Sequence, residues 1–257
     1  MKAALAQMNI CFEDKQKNIS EVEKYLIHAL ENDADIIFFP EMTLTGFSMN
    51  VGITGEENNE TVNSMKMLSK KYNIAIGFGW VKKFEEKGEN HYTVVSPEEN
   101  MLADYVKIHP FSYSGEDNYF HAGNSLSSFT YRDKKISVFI CYDLRFPEIF
   151  QSASKESDVI VIAANWPQKR SLHWKILLQA RAVENQSWIL GVNCYGTQQG
   201  TLYSGNSRII MPDGTICSEI NDKEGLIYST IEKETELIRN IFPVKKDRRT
   251  ELYRALI

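Results

Sequence analysis

Lys135-Ile136-Ser137-Val138-Phe139-Ile140-Cys141-Tyr142-Asp143-Leu144-Arg145-Phe146-Pro147-Glu148 runs from an apolar strand into a predicted helix, with a cysteine at the junction. Pro147 suits the first turn of that helix, where its missing N–H goes unnoticed. Upstream, Ser127 to Tyr131 and Lys135 to Ile140 form the arms of a hairpin joined through Arg132-Asp133-Lys134. Downstream, Asp158 to Ala164 is a buried strand. A hairpin on one side and a strand-helix-strand on the other predict an α/β chain with a mixed sheet, not a purely parallel one.

The pattern repeats outward. Ala3 to Met8 is a strand, Ile19, Val22, Leu26 and Leu30 keep helical spacing, and Ile36-Ile37-Phe38-Phe39 is a strand that Pro40 ends, with Glu41 next. Val62, Met65, Leu68 and Tyr72 suggest a second helix before the apolar run Ile74 to Trp80. Gly77 and Gly79 in that run point to close packing, since Lys82 stands where a dinucleotide fingerprint needs its third glycine. Tyr92 to Val95 and Met101 to Val106 form a hairpin that delivers Lys107. Asp158 to Ala164 stops at Asn165-Trp166-Pro167, and Leu172 to Asn185 is a helix with Trp174, Leu177, Leu178 and Ala182 on one side. The strand Trp188 to Asn193 follows. Ser207 to Met211 and Leu226 to Ile231 are antiparallel pieces around a Pro212-Asp213-Gly214-Thr215 turn, ahead of a polar helical tail. Two mixed sheets stacked face to face, with helices outside, satisfy this order.

Composition narrows the function. A chain of 257 residues that is 43% hydrophobic can bury one sizeable core, so residues 1–257 are expected to form a single domain. Its 29 basic and 34 acidic residues form no extended basic face, which argues against nucleic acid and anionic membrane as partners. The short cluster Lys245-Lys246-Asp247-Arg248-Arg249 sits in the tail and suits a solvated or subunit-contacting segment. No secretory h-region follows Met1 and no apolar run could span a bilayer, so a cytoplasmic protein is expected. Cys11, Cys141, Cys194 and Cys217 lack Cys-x-x-Cys spacing and should be reduced thiols.

Glu41, Lys107, Cys141 and Asn165 each directly follow an apolar strand, where α/β sheets leave a crevice for ligands. Taken singly they are ordinary: a solvated acid, a surface lysine, a small core hydrophobe. Together they supply what a thiol needs, because free cysteine, with a pKa of about 8.5, is only slightly ionised at neutral pH and requires a base. Rival chemistries lack their residues. The histidines at 28, 91, 109, 121 and 173 include no zinc-binding pair at helical spacing, and neither Gly-x-Ser-x-Gly nor a Walker A loop occurs. No metal or cofactor is expected.

Phe39-Pro40-Glu41, Lys107-Ile108-His109 and Cys141-Tyr142-Asp143-Leu144-Arg145-Phe146-Pro147-Glu148 resemble the three blocks of the nitrilase superfamily of carbon-nitrogen hydrolases. Asn165-Trp166-Pro167, Arg170, His173-Trp174 and Ala180 to Asn185, with Tyr203-Ser204-Gly205, are similar to its omega-amidase-like branch. The resemblance implies an αββα four-layer sandwich whose subunits pair, as a homodimer or higher homo-oligomer, with a C-terminal tail of about 20–25 residues free to touch a partner subunit. It also implies a triad in which Cys141 attacks an amide carbonyl, Glu41 moves the proton, and Lys107 with the Tyr142 N–H holds the oxyanion. Glu116 matches an additional active-site glutamate, otherwise an exposed loop acid. The aromatic loop from His109 to Gly123 suits a lid or pocket wall.

Arg145 matches an arginine that grips a substrate carboxylate, although pairing with Asp143, Glu148 or Glu184 would explain it equally well. Asn165 and Trp166 are candidates for lining the pocket. His173 suits a structural hydrogen bond. The expected activity is hydrolysis of the terminal amide of a small carboxylate-bearing substrate, of the 2-oxoglutaramate or 2-oxosuccinamate kind, through a thioester. The alternatives are an N-carbamoyl amino acid hydrolase, a nitrilase, or a non-catalytic thiol-redox or binding protein on the same fold. No ammonia-consuming domain follows residue 257, so channelling within the chain is not expected.

Overall fold

A computed structural model describes residues 1–256 and contains two mixed sheets with helices packed on them. The first sheet runs Gly225–Thr230, Lys2–Gln7, Ile36–Phe38, Ala75–Phe84, Lys87–Val95, Met101–Val106, and the two short strands Gly55–Glu56 and Phe120–His121 pair onto its middle. Its three strands from Lys2 to Phe84 are mutually parallel and their outer neighbours antiparallel. The second sheet runs Tyr195–Gln198, Thr201–Ile210, Trp188–Asn193, Val159–Ala164, Lys134–Ile140, Ser128–Tyr131, with Ile216–Asn221 beside Thr201–Ile210. Here too a parallel centre, with Val161 opposite both Val138 and Leu190, is flanked by antiparallel strands.

Strand alternation explains the layering. Ala3 and Leu5, like Ile36 and Phe38, point into a core shared with Val138, Ile140, Val161 and Leu190 of the second sheet. Their neighbours Ala4, Ala6 and Ile37 face outward onto Val22 and Leu26 of the helix Lys15–Glu31 and Val62 and Met65 of the helix Glu60–Tyr72. Helices Pro147–Ala153 and Ser171–Asn185 pack on the second sheet through Phe150, Trp174, Leu178 and Ala182. Gly191 admits the last of these helices, because a Cβ there would lie 2.5 Å from a Leu178 methyl. The four-layer sandwich expected from the sequence is the one observed.

Pro147 opens its helix as expected, but the junction before it differs from a direct strand-to-helix step. The segment after Cys141 is a 3-10 turn, Cys141–Arg145, and the α-helix starts only at Pro147. A proline disfavours helical geometry in the residue before it, and Phe146 is accordingly extended at φ −108° and ψ 96°.

Candidate active site

The C-terminal ends of the parallel strands meet at one edge of the sandwich and deliver the chemistry. Ile36–Phe38 leads into Phe39-Pro40-Glu41, Lys134–Ile140 into Cys141, and Val159–Ala164 into Asn165. Lys107 arrives from the antiparallel strand Met101–Val106 and donates its backbone N–H to Asn90 O at 2.9 Å, so these two residues stand opposite each other on one face.

At Glu41 the chain is fixed from several sides. Tyr92 OH donates to Phe39 O at 2.9 Å, and Thr43 meets Gly79 twice, its N–H donating to the Gly79 carbonyl and its hydroxyl oxygen accepting the Gly79 N–H, both at 2.9 Å. Met42 takes up a left-handed φ of 47° to make this turn.

Four polar side chains close into one buried cluster. Lys107 Nζ donates to Glu41 Oε1 at 2.9 Å and to both oxygens of Glu116 at 3.0 and 2.8 Å. Asn90 Nδ2 bridges the same two acids, at 2.9 Å to Glu41 and 3.1 Å to Glu116. Glu116 is fully buried and also accepts the Phe111 N–H. On the other oxygen of Glu41 the Asn165 N–H donates at 2.9 Å, while the Asn165 amide donates to the Glu41 carbonyl at 2.7 Å. Asn165 therefore orients Glu41 as well as lining the cleft.

These charges act on the Cys141 thiol. Burial first, and then the Glu41 carboxylate, raise it well above its ordinary value, and Lys107 offsets only part of the effect. The sulfur is thus held as a thiol and needs a base to attack. Burial opposes the charge on Lys107, but Glu116 and Glu41 outweigh it and hold the ammonium above its ordinary range. Burial raises the Glu116 carboxyl, Lys107 opposing and Glu41 reinforcing the shift.

Cys141 itself adopts φ 45°, a left-handed conformation that costs a non-glycine residue about 1–2 kcal/mol. What holds it there is Asp143, fully buried, which accepts from Ile140 N at 3.1 Å, Tyr105 OH at 2.8 Å and His109 N at 3.0 Å, and contacts His109 Nδ1 at 2.8 Å. His109 in turn stacks on Phe146 with ring centroids 3.7 Å apart. One carboxylate thereby ties the Cys141 turn to the segment carrying Lys107.

Above the cluster lies a narrow cleft, open to solvent, lined by Cys141, Lys107, Tyr142, Arg145, Asn165 and Trp166, and also by Phe47, Phe111, Pro167, Arg170 and Tyr203. Arg145 stacks over Trp166 with Cζ 4.7 Å from the ring centroid, and its nearest polar partner is His173 Nδ1 at 3.4 Å. It pairs with none of its three possible acids: Asp143 is engaged as above, Glu184 is held by Arg181 at 2.7 Å, and Glu148 makes no ion pair among the described residues. The Trp166 indole N–H donates to Arg170 O at 2.8 Å, so this tryptophan offers the cleft its ring alone. From the loop His109 to Gly123, Phe111 walls the cleft while Tyr113 is 84% exposed.

Sequence reasoning missed Asn90, Asp143 and the wall residues Phe47 and Tyr203. Asn90 was within reach: extending the hairpin ladder one pair beyond His91 and Val106 puts it opposite Lys107.

A half-buried thiol beside two buried acids and a buried lysine, at the strand ends of a two-sheet sandwich, defines a cysteine hydrolase of the nitrilase type. The chain belongs to the carbon-nitrogen hydrolase family, whose pattern matches residues 2–240. It is 33% identical to the 2-oxoglutaramate amidase of Bacillus subtilis over 253 residues, covering 96% of this chain and 97% of that one. To the omega-amidase of Escherichia coli it is 32% identical over 217 residues, 84% of this chain and 83% of that one. Among solved structures, a CN-hydrolase superfamily protein of Xanthomonas campestris with an arsenic adduct in its active site superposes with a TM-score of 0.91 at 26% identity, covering 96% of this chain and 97% of that one. An amidase of Nesterenkonia sp. shares the fold, with a TM-score of 0.89 at 22% identity and coverage of 100% and 96%.

Gly79 tests how tightly the site depends on its scaffold. A Cβ there would come within 2.2 Å of Met42 N and 2.8 Å of the Glu41 carbonyl carbon. Gly79→Ala is expected to cost ~1–3 kcal/mol in urea unfolding and to lower turnover by about a hundredfold, because displacing Glu41 by an ångström spoils its approach to sulfur. Wild-type turnover in the folded variant would show that the Glu41 turn adapts.

Proposed function

We propose that this chain is an omega-amidase that hydrolyses the terminal amide of a small carboxylate-bearing substrate, of the 2-oxoglutaramate or 2-oxosuccinamate kind, to the acid and ammonia. The observation that carries the reading is Arg145, a guanidinium with no acidic partner among the described residues, lining the same cleft as Cys141. The names of the relatives support it.

In this reading Glu41 takes the thiol proton as sulfur bonds to the amide carbon, and the carbonyl electrons move onto oxygen. Lys107 and the Tyr142 N–H stabilise that oxyanion. Glu41 then protonates the departing nitrogen, the C–N bond breaks, and ammonia leaves a thioester on Cys141. Water, losing its proton to Glu41, attacks the thioester; the carboxylic acid departs and sulfur regains its proton. Glu116 keeps Lys107 and Glu41 in place throughout, and Arg145 grips the substrate carboxylate.

The test is ammonia release from a panel comprising 2-oxoglutaramate, 2-oxosuccinamate, an N-carbamoyl amino acid, a nitrile and a neutral amide of similar length. The expected result is a preference for the two carboxylated amides of at least tenfold in kcat/KM, since a charged hydrogen bond contributes about 1.5–3 kcal/mol. Equal rates on the neutral amide would defeat the substrate assignment.

We also propose a homodimer. Leu172, Ile176 and Val183 share one face of the helix Ser171–Asn185 and are 65%, 55% and 53% exposed, while the tail adds Ile241 and Phe242. In light scattering the wild type should have twice the mass of a chain, and Ile176→Glu with Val183→Glu should be monomeric; a monomeric wild type refutes the pairing. A cytoplasmic setting is part of the same proposal: all four cysteines are free, and no helix among the described residues is long and apolar enough to cross a membrane.

A further inference from the structure

The nine arginines of the chain are used in different ways. Arg132, Arg181, Arg208, Arg239 and Arg254 each reach a carboxylate, on Asp35, Glu184, Glu219, Asp158 and Glu251. Arg248 bonds Gln151, and Arg249 is exposed in the tail. The remaining two, Arg145 and Arg170, both line the cleft, and neither has an acidic partner among the described residues.

They approach the cleft from different elements. Arg145 ends the turn that starts at Cys141 and lies over Trp166, whereas Arg170 ends the turn Gln168–Arg170 and lies 5.2 Å from the Phe111 centroid and 5.8 Å from that of Tyr113. Stacking on aromatic faces fixes the guanidinium planes while leaving their N–H edges free to donate. Burial, and the positive charge of Arg170, hold Arg145 below its ordinary value, so the two cations repel each other and an anion between them would relieve that repulsion. At the other end of the cleft Glu41 and Glu116 surround the lysine beside Cys141. An anionic group on a substrate is repelled by those acids and drawn to the arginines, which leaves its neutral amide end at the sulfur.

We infer that Arg170 is a specificity-determining residue: with Arg145 it forms a two-guanidinium clamp on the distal carboxylate of the substrate and on an acceptor oxygen beside it, as a 2-oxo acid carries. This rests on the omega-amidase reading above. It assigns the 2-oxo group a binding partner and gives the amide its direction in the cleft.

The experiment measures kcat and KM of wild type, Arg170→Met and Arg170→Lys on 2-oxoglutaramate, on glutaramate, which lacks the 2-oxo oxygen, and on butyramide, which lacks the carboxylate too. The readout is the ratio of kcat/KM on each acid to that on butyramide. In Arg170→Met the 2-oxoglutaramate ratio should fall by about tenfold to a hundredfold, mainly through KM, and the glutaramate ratio by less. Arg170→Lys should lie between, since it keeps charge and loses the fork. A ratio unchanged within twofold, with all three substrates slowed alike, overturns the clamp and leaves Arg170 as a prop for Phe111. A wild type that shows no preference for the acids removes the omega-amidase reading itself, a separate result. If Arg170→Met is too slow to assay, protection of Cys141 from iodoacetamide by 2-oxoglutarate decides: protection lost in the variant supports the clamp, and protection retained overturns it.

Discussion

Cys141→Ala is expected to release no measurable ammonia from any amide that the wild type hydrolyses, a loss on the order of a thousandfold or more, because nucleophile and base act as a unit. The fold should survive. Cys141 sits at φ 45° at the end of the strand Lys134–Ile140, held by the bonds of Asp143 to Ile140 N and His109 N, and none of those bonds involves the sulfur. Alanine keeps the left-handed strain of about 1–2 kcal/mol, whereas glycine removes it. Cys141→Gly should therefore be as inactive as Cys141→Ala and unfold at a denaturant concentration at least as high. Ammonia assays on the three proteins, with urea unfolding alongside, check both parts. Equal turnover in wild type and Cys141→Ala would eliminate the thioester route, and a glycine variant much less stable than alanine would show that the turn at 141 is not strained.

The strand ends were legible because apolar runs stop abruptly at them. Ile36 to Phe39, Lys135 to Ile140 and Asp158 to Ala164 each carry enough β-branched and aromatic residues to mark a buried strand, and the first polar residue after each is the one that faces the site. The long-range partners were less visible. Asn90 lies inside a strand and looks like a solvated amide, yet folding pairs it with Lys107 and so turns it toward Glu41 and Glu116. Asp143 sits in a quoted motif, but its function is set by His109 and Tyr105, which no spacing rule connects to it. The hairpin Tyr195–Gln198 with Thr201–Ile210 escaped for a different reason. Its first arm, Tyr-Gly-Thr-Gln, has no apolar alternation, and its strand character comes from pairing alone, with Gln199 and Gly200 at φ 46° and 74° making the turn. Arg145 shows the limit of local reading most plainly: three acids near it in sequence or on the adjoining helix could have paired with it, and only the fold excludes them.

The second large effect belongs to Lys107. It is 1% exposed and, among the described residues, is the one cation bonded to Glu41 and Glu116, themselves fully buried, so Lys107→Met leaves two acids bridged by the Asn90 amide with no positive charge beside them. Removing one partner of a buried ion pair costs about 3–5 kcal/mol, much more than the methylene packing that methionine restores. The variant should also lose about 2.7–4 kcal/mol of transition-state stabilisation, as an oxyanion donor does. Its stability should depend on pH in a definite sense. In wild type the folded lysine holds its proton more tightly than the unfolded one, whose value is 10.5, so its contribution is fully present below that value and is lost only as pH rises through the higher folded value. In the variant the acids dominate instead. Burial already raises the Glu116 carboxyl, and without Lys107 to oppose it the carboxyl rises further, so the folded variant binds a proton that the unfolded chain has released. Stability then increases as pH falls toward the unfolded carboxylate range. The deficit of Lys107→Met relative to wild type should be largest at about pH 8 and shrink steadily toward about pH 5, read by urea unfolding at several pH values. A constant deficit would mean that the two acids already share a proton in the wild type and that Lys107 acts through packing, not charge.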